Sequence, residues 1–141
     1  MGQIKDFKKI ILGQIIDHHD GKISVAESFR NIPFRIKRVY YIYDFDSEKS
    51  VRGYHAHKNL EQVLFCISGT VTLKLDDGFN TYEEEINEPH KGIFIGKYVW
   101  HTMRNFSDDC VVLVLASDYF NESDYIRDYD EFLNTINKDK I

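Results

Sequence analysis

The chain predicts an all-β fold, a sandwich or barrel, with one helix at its C-terminal end. Three observations carry this reading. Short apolar segments recur along most of the length, separated by turn signals such as Asp20-Gly21, Ser68-Gly69 and Asp76-Asp77-Gly78. Within them, runs such as Thr70-Val71-Thr72-Leu73-Lys74-Leu75 alternate apolar and polar residues with period two, the pattern of a half-buried strand. Only the C-terminal end changes period: Tyr125, Tyr129, Phe132, Leu133 and Ile136 fall at helical spacing.

A length of 141 residues supports one domain with a real core, and no internal repeat or low-complexity stretch divides it. The single domain spans 1–141, with its β core over about 6–117 and the helix over about 124–137. Hydrophobic residues at 43% place the chain among ordinary globular proteins. The net charge of −5 excludes broad, sequence-independent binding to nucleic acid, which needs a basic surface to displace counterions from phosphates. A small anionic ligand in a local basic pocket remains compatible with it. Cys66 and Cys110 lie inside apolar runs and read as reduced, structural thiols. Charges at the N-terminus lack a following apolar core, and the longest apolar run, 110–116, is too short to span a bilayer, so the cytoplasm is the expected location.

Taken in order, Ile10-Ile11-Leu12 and Ile15-Ile16 flank Gly13 in a first strand, and His18-His19-Asp20-Gly21 turns the chain into a second over 22–27. Pro33 opens a long extended run, 34–44, in which Phe34 and Ile36 alternate with Arg35 and Lys37. From Val39 onward both faces are apolar or aromatic, so this strand enters the core. A polar loop, 46–50, precedes the stretch Arg52-Gly53-Tyr54-His55-Ala56-His57-Lys58 and the apolar run ending at Ile67. Asp76-Asp77-Gly78 is the strongest hairpin signal, because Asp and Gly tolerate the positive φ angles of tight turns; the acidic strand 80–86 returns from it. Pro89 to Gly92 breaks the chain again, and strands over 93–95, 99–106 and 110–116 follow. The helix has Ser123 or Asp124 available as its cap.

The chemistry concentrates around His55 and His57. Alternation in a strand places the two imidazoles on one face, with Glu61 beside them if the strand runs on unbroken. His101 follows on a second strand. Three classes fit these residues. His55-x-His57-x-x-x-Glu61 with a later His101 has the ligand spacing of a metal-dependent double-stranded β-helix, an oxygenase or isomerase, although eight residues separate Gly92 from His101 where that motif is tighter. Metal-free imidazoles would instead move protons at carbon beside a ketone. A sensor that binds a sugar nucleotide without catalysis is the third.

Residues 31–44, the segment Arg52 to Gln62, Val99-Trp100-His101 and residues 115–132 closely resemble the sugar 3,4-ketoisomerases that act on thymidine-diphosphate (TDP)-linked 4-keto-6-deoxyglucose. The likeness covers about 6–132, and Arg-Gly-aromatic-His-Ala-His-Lys is its most specific part. It implies a cupin (RmlC-like) jelly-roll β-barrel and a homodimer that exchanges N-terminal strands. It implies no required metal or other cofactor, and conversion of TDP-4-keto-6-deoxy-D-glucose to a TDP-3-keto-6-deoxyhexose. The product would feed 3-amino-3,6-dideoxyhexoses of surface polysaccharide, with no nucleic-acid or membrane partner.

Carried onto this chain, the catalytic residues expected are His55, His57 and Tyr41. His57 is expected to remove the proton at sugar carbon 3, and His55 with Tyr41 to move a proton between the two oxygens of the enediol. Arg52, Lys58 and Arg38 are expected to stabilise developing charge or hold the diphosphate, and Trp100 and His101 to line the pocket.

Overall fold

The computed structural model describes residues 4–46 and 50–138. Part of the polar loop read at 46–50, the start of the N-terminus and the tail after 138 lie outside the described residues. Twelve strands precede one helix: β1 Lys8–Ile11, β2 Ile15–Ile16, β3 Lys22–Ile23, β4 Arg38–Ile42, β5 Arg52–His57, β6 Gln62–Ser68, β7 Val71–Asp76, β8 Thr81–Ile86, β9 Lys91–Ile95, β10 Trp100–Arg104, β11 Val111–Ala116, β12 Tyr125–Ile126 and α1 Tyr129–Lys138. Two five-stranded antiparallel sheets, in the orders β1-β9-β6-β11-β4 and β12-β5-β10-β7-β8, face one another as a cupin-like jelly-roll sandwich. Strands β2 and β3 form a separate hairpin.

The alternation read from the sequence sorts side chains onto these faces. Val71, Leu73 and Leu75 of β7 point between the sheets, where they join Leu64, Ile93, Val112 and Val114 in the main core. Each large side chain fully buried there contributes about 1.5–3 kcal/mol relative to exposure. A second apolar layer lies under the N-terminal segment, where Ile10, Ile32, Phe34, Phe65 and Leu115 meet. The third sits beneath α1, where Phe132 packs with Ala56, Trp100 and Ile126. The hairpin β7–β8 closes through Asp77, whose Oδ1 accepts the N–H groups of Phe79 and Asn80, while Gly78 adopts φ +93°.

Three boundaries depart from the sequence reading. The extended run 34–44 is a regular strand only over β4, its first residues being committed to the N-terminal layer. The helix begins at Tyr129, and Asp128, not Ser123 or Asp124, caps it by accepting the N–H of Asp130 at 3.1 Å. The histidine strand also ends at His57, and the chain turns before β6. The cause is Asp124, whose carboxylate accepts the N–H groups of Asn59 at 2.8 Å and Leu60 at 3.1 Å, diverting both from a strand ladder.

Candidate active site

Strand β5 carries the site, and its shape starts at Gly53. Opposite β10 the pairing steps from His101↔His55 to Thr102↔Gly53, leaving Tyr54 as the extra residue of a β-bulge, with φ +96° at Gly53 and +60° at Tyr54. A Cβ at Gly53 would stand 2.5 Å from the carbonyl oxygen of His101, so only glycine lets the strands approach this closely. In an unbroken strand Arg52 and His55, three apart, would face opposite ways. The bulge brings both to one cavity of about 250 Å³, shared with Arg38, Tyr40, Phe120 and Tyr125.

Three imidazoles meet at the inner end. The His55 ring lies edge-on to His57 at 5.0 Å and to His101 at 4.5 Å, and Tyr125 stands 4.4 Å from His57 and 4.9 Å from His55. His55 Nδ1 lies 3.1 Å from the Gly53 carbonyl and His101 Nδ1 3.3 Å from the Val99 carbonyl. A carbonyl only accepts, so both rings carry their proton on Nδ1 and keep a lone pair on Nε2. His57, 2% exposed, has no aligned hydrogen bond at either nitrogen; its Nδ1 sits 3.4 Å from Asp124 Oδ2, an ion-pair distance without hydrogen-bond alignment. Burial disfavours the charged form and lowers the pKa of His55 and of His57 to about 4, with neighbouring positive groups adding to the effect; it also drives His101 well below its ordinary value. All three are neutral at pH 7 and can accept a proton.

The mouth is cationic although the protein is acidic. Arg38 lies over the Tyr40 ring at 5.1 Å and Arg127 over Tyr125 at 4.2 Å, the latter paired through two bonds with Glu122. The Nε of Arg38 is buried without a partner, a donor free for a ligand. Tyr40 accepts a hydrogen bond from Gln62 Nε2 at 2.7 Å.

Of the residues expected from sequence, His55, His57, His101, Arg52 and Arg38 are brought together. Tyr41 is not: it is 61% exposed, pairs with Tyr43 at 5.5 Å, and lies on the opposite face of β4 from Tyr40. Lys58 reaches the Ser123 carbonyl at 3.3 Å instead of the cavity. Trp100 points outward beneath α1 and lines a cleft of about 420 Å³ with Tyr54, Lys74 and Tyr129. Glu61 is absent from the histidine group because the strand ends before it. Among the described residues, His55, His57 and His101 alone have ring nitrogens within 4.8 Å of one another, a spacing that admits a divalent ion but lacks a carboxylate ligand. Sequence reading missed Tyr40, Tyr125 and Asp124. For Tyr40 a signal existed: Arg38 and Tyr41 are three apart and cannot both face inward from a regular strand, whereas Arg38 and Tyr40 can.

Comparisons with known proteins agree on one group. Residues 3–137 match the family described as "FdtA: WxcM-like, C-terminal". The chain is 50% identical over 131 residues, 93% of each chain, to the TDP-4-oxo-6-deoxy-alpha-D-glucose-3,4-oxoisomerase of Aneurinibacillus thermoaerophilus. It resembles the 3,4-ketoisomerase of Helicobacter canadensis with a TM-score of 0.89 and 47% identity, over 94% of this chain and 98% of that one. For the sugar 3,4-ketoisomerase QdtA of Thermoanaerobacterium thermosaccharolyticum, solved in complex with TDP, the TM-score is 0.93 at 40% identity, over 99% and 100% of the two chains.

Proposed function

The chain belongs to the FdtA family and is a sugar 3,4-ketoisomerase; from that premise we propose how its residues convert TDP-4-keto-6-deoxy-D-glucose to a TDP-linked 3-keto-6-deoxyhexose. One observation supports the chemistry above the others: three neutral imidazoles converge beside a cavity whose mouth holds arginines. Arg38 and Arg52 take the diphosphate, which is doubly anionic and suits fixed guanidinium donors. That leaves the sugar at the histidines.

His55 acts as the carbon base. It lines the cavity of about 250 Å³ with its Nε2 lone pair free, whereas His57 lines a separate space of about 60 Å³, and this reading therefore exchanges the two roles expected from sequence. The proton on carbon 3 is acidic because the 4-ketone accepts the electron pair. His55 takes this proton, a carbon 3–carbon 4 double bond forms, the carbonyl electron pair moves onto the 4-oxygen, and the enediolate results. His57, in place of the expected pairing of His55 with Tyr41, relays the proton of the 3-oxygen to the 4-oxygen, and Tyr40 and Tyr125 hold those oxygens. Return of a proton to carbon 4 leaves the ketone at carbon 3, so atoms and electrons balance with no oxidant. No step needs a metal.

Incubation with TDP-4-keto-6-deoxyglucose in deuterated water, followed by NMR, tests this reading. Deuterium at the ring carbons together with movement of the ketone is expected, and a silent spectrum rejects it. Activity retained after dialysis against a chelator is also expected; activity lost on chelation and restored by a divalent metal would select the metal-dependent class instead.

The chain also works as a homodimer in this reading. Ile15, Ile16 and Ile23 of the β2–β3 hairpin are exposed, as are Val39 and Tyr41 on β4, the open edge of its sheet. A second copy would cover both by exchange of the hairpin, since β1 is paired with its own β9. Light scattering should give about twice the 16.7 kDa chain mass. No helix among the described residues is long and apolar enough to cross a membrane, and the two free thiols suit a reducing compartment, so the cytoplasm is the location proposed. The 3-keto product is set for amination towards the 3-amino sugars of surface polysaccharide.

A further inference from the structure

We propose that Asp124 is a positioning residue that holds His57 in the Nδ1–H tautomer and makes it the imidazole that stores the relayed proton; the second half of this statement rests on the reaction proposed above.

The placement of Asp124 is set by backbone pairing. Strand β12 lies beside β5 with Tyr125 opposite His57, and the Lys58 N–H donates to the Asp124 carbonyl at 3.0 Å. That puts the Asp124 side chain against the end of β5, 9% exposed. Its Oδ1 accepts the Asn59 N–H and its Oδ2 the Leu60 N–H, so the carboxylate is held from two directions before the histidine is considered. Oδ2 then lies 3.4 Å from His57 Nδ1. A lone pair on Nδ1 at that distance would face the carboxylate's own lone pairs. A proton there is attracted by them, which leaves the lone pair on Nε2.

All three imidazoles thereby present Nε2 as the acceptor, but they are held differently. His55 and His101 each face a carbonyl two residues back along the chain, a neutral partner. His57 faces a carboxylate. A negative partner stabilises imidazolium where a carbonyl dipole does so weakly, so a proton in transit between the 3- and 4-oxygens rests on His57. It arrives from the 3-oxygen at Nε2, leaves to the 4-oxygen, and the Nδ1 proton stays in place throughout. Asp124 is also the group that opposes burial at His57, where its charge raises the pKa that desolvation lowers.

The test begins with the wild-type chain labelled with ¹⁵N. Long-range ¹H–¹⁵N spectra at pH 7 should show His57 protonated on Nδ1 with a bare Nε2, the signals being assigned by their loss in His57→Asn. A wild-type His57 protonated on Nε2 overturns the proposal, whatever any variant does. Asp124→Asn keeps the shape and one acceptor for the loop amides, but it can turn an N–H toward His57. The expected result is a switch of the His57 tautomer and a fall in kcat of roughly 10²- to 10⁴-fold with KM nearly unchanged. A variant with wild-type kcat and only a lowered melting temperature would reduce Asp124 to a loop cap and also overturn it. Wild-type protein inactive on TDP-4-keto-6-deoxyglucose would reject the substrate reading, and the tautomer measurement would still decide what Asp124 does.

Discussion

Two pairs of titratable groups, buried except for the half-buried His55, lie toward opposite ends of β6, and burial affects them in opposite ways. Toward the far end, Cys66 and Cys110 place their sulfurs 3.7 Å apart inside the main core, and Cys66 donates to the Ser68 carbonyl. Burial pushes the Cys66 thiol up to about 12, and Cys110 also upward. Near the start of β6, where Gln62 bonds Tyr40, burial instead pushes His55 and His57 down to about 4. In both places a low-dielectric surrounding penalises charge. For a thiol this removes the nucleophile; for an imidazole it preserves the base. The histidine end also adds a cavity and unpartnered ring nitrogens, so burial becomes functional where atoms are left without partners.

The sharpest way to break this contrast is to remove the bases. His55→Asn should lower turnover by roughly 10²- to 10⁴-fold and abolish exchange of the carbon 3 proton with deuterated solvent, whereas His57→Asn should lose net turnover but keep slow exchange. Exchange that survives in the first and vanishes in the second would restore the assignment made from sequence. Next comes the face of β4. Loss of the hydroxyl in Tyr40→Phe should cost roughly 10- to 10²-fold in kcat, at or below the usual loss for one proton-transfer group, and Tyr41→Phe should stay within about twofold. Equal losses would mean that the exposed tyrosine reaches the substrate.

Acid should separate the two ends without mutation. A native histidine with a pKa near 4 refuses the proton that its unfolded counterpart binds below about 6.5. Stability is therefore level above pH 6.5 and is lost as pH falls from there toward 4. The urea midpoint should hold from pH 8 to 7 and drop by pH 5, while the acid limb of kcat/KM lies below 6; a profile centred on 6.5 would show imidazoles open to water. The smallest effect is at the cysteines, where Cys66→Ala should cost about 1 kcal/mol in urea melts and leave turnover unchanged. A tenfold loss of activity there would mean that the two ends are coupled.

Much of the sandwich was legible because period-two patterning and turn chemistry are local. The alternating strand through Leu75 and the Asp76-Asp77-Gly78 turn appear where those rules put them, and the single helix appears too, but starting at Tyr129 because Tyr125 and Ile126 pair as a strand with β5. The histidine pair was legible for the same reason, since alternation within one strand needs no partner. What escaped depends on contacts distant in sequence. Asp124 sits about 65 residues from the amides it caps, so nothing near His57 announces that β5 stops there or that Glu61 turns away. In β4, from Val39 onward, both faces are apolar or aromatic, so the tyrosines alone do not say which one looks inward; only the shared parity of Tyr40 with Arg38 points to it. The bulge at Gly53 was half legible: the glycine is visible, but its use in turning Arg52 toward His55 requires the opposing strand.

The arginines at the mouth have a consequence for how fast the site fills. Among the described residues neither Arg38 nor Arg52 is held in an ion pair, and both face the cavity of a protein whose net charge is −5. An approaching sugar nucleotide is repelled by most of the surface and drawn to this opening, with its diphosphate end leading toward the guanidinium groups. Capture is therefore directional as well as electrostatic, and added salt slows encounter by screening both the repulsion and the attraction over about 8–10 Å. Proton transfer at the buried histidines lies inside that screening distance and is shielded from it, so ionic strength should act on kcat/KM and spare kcat.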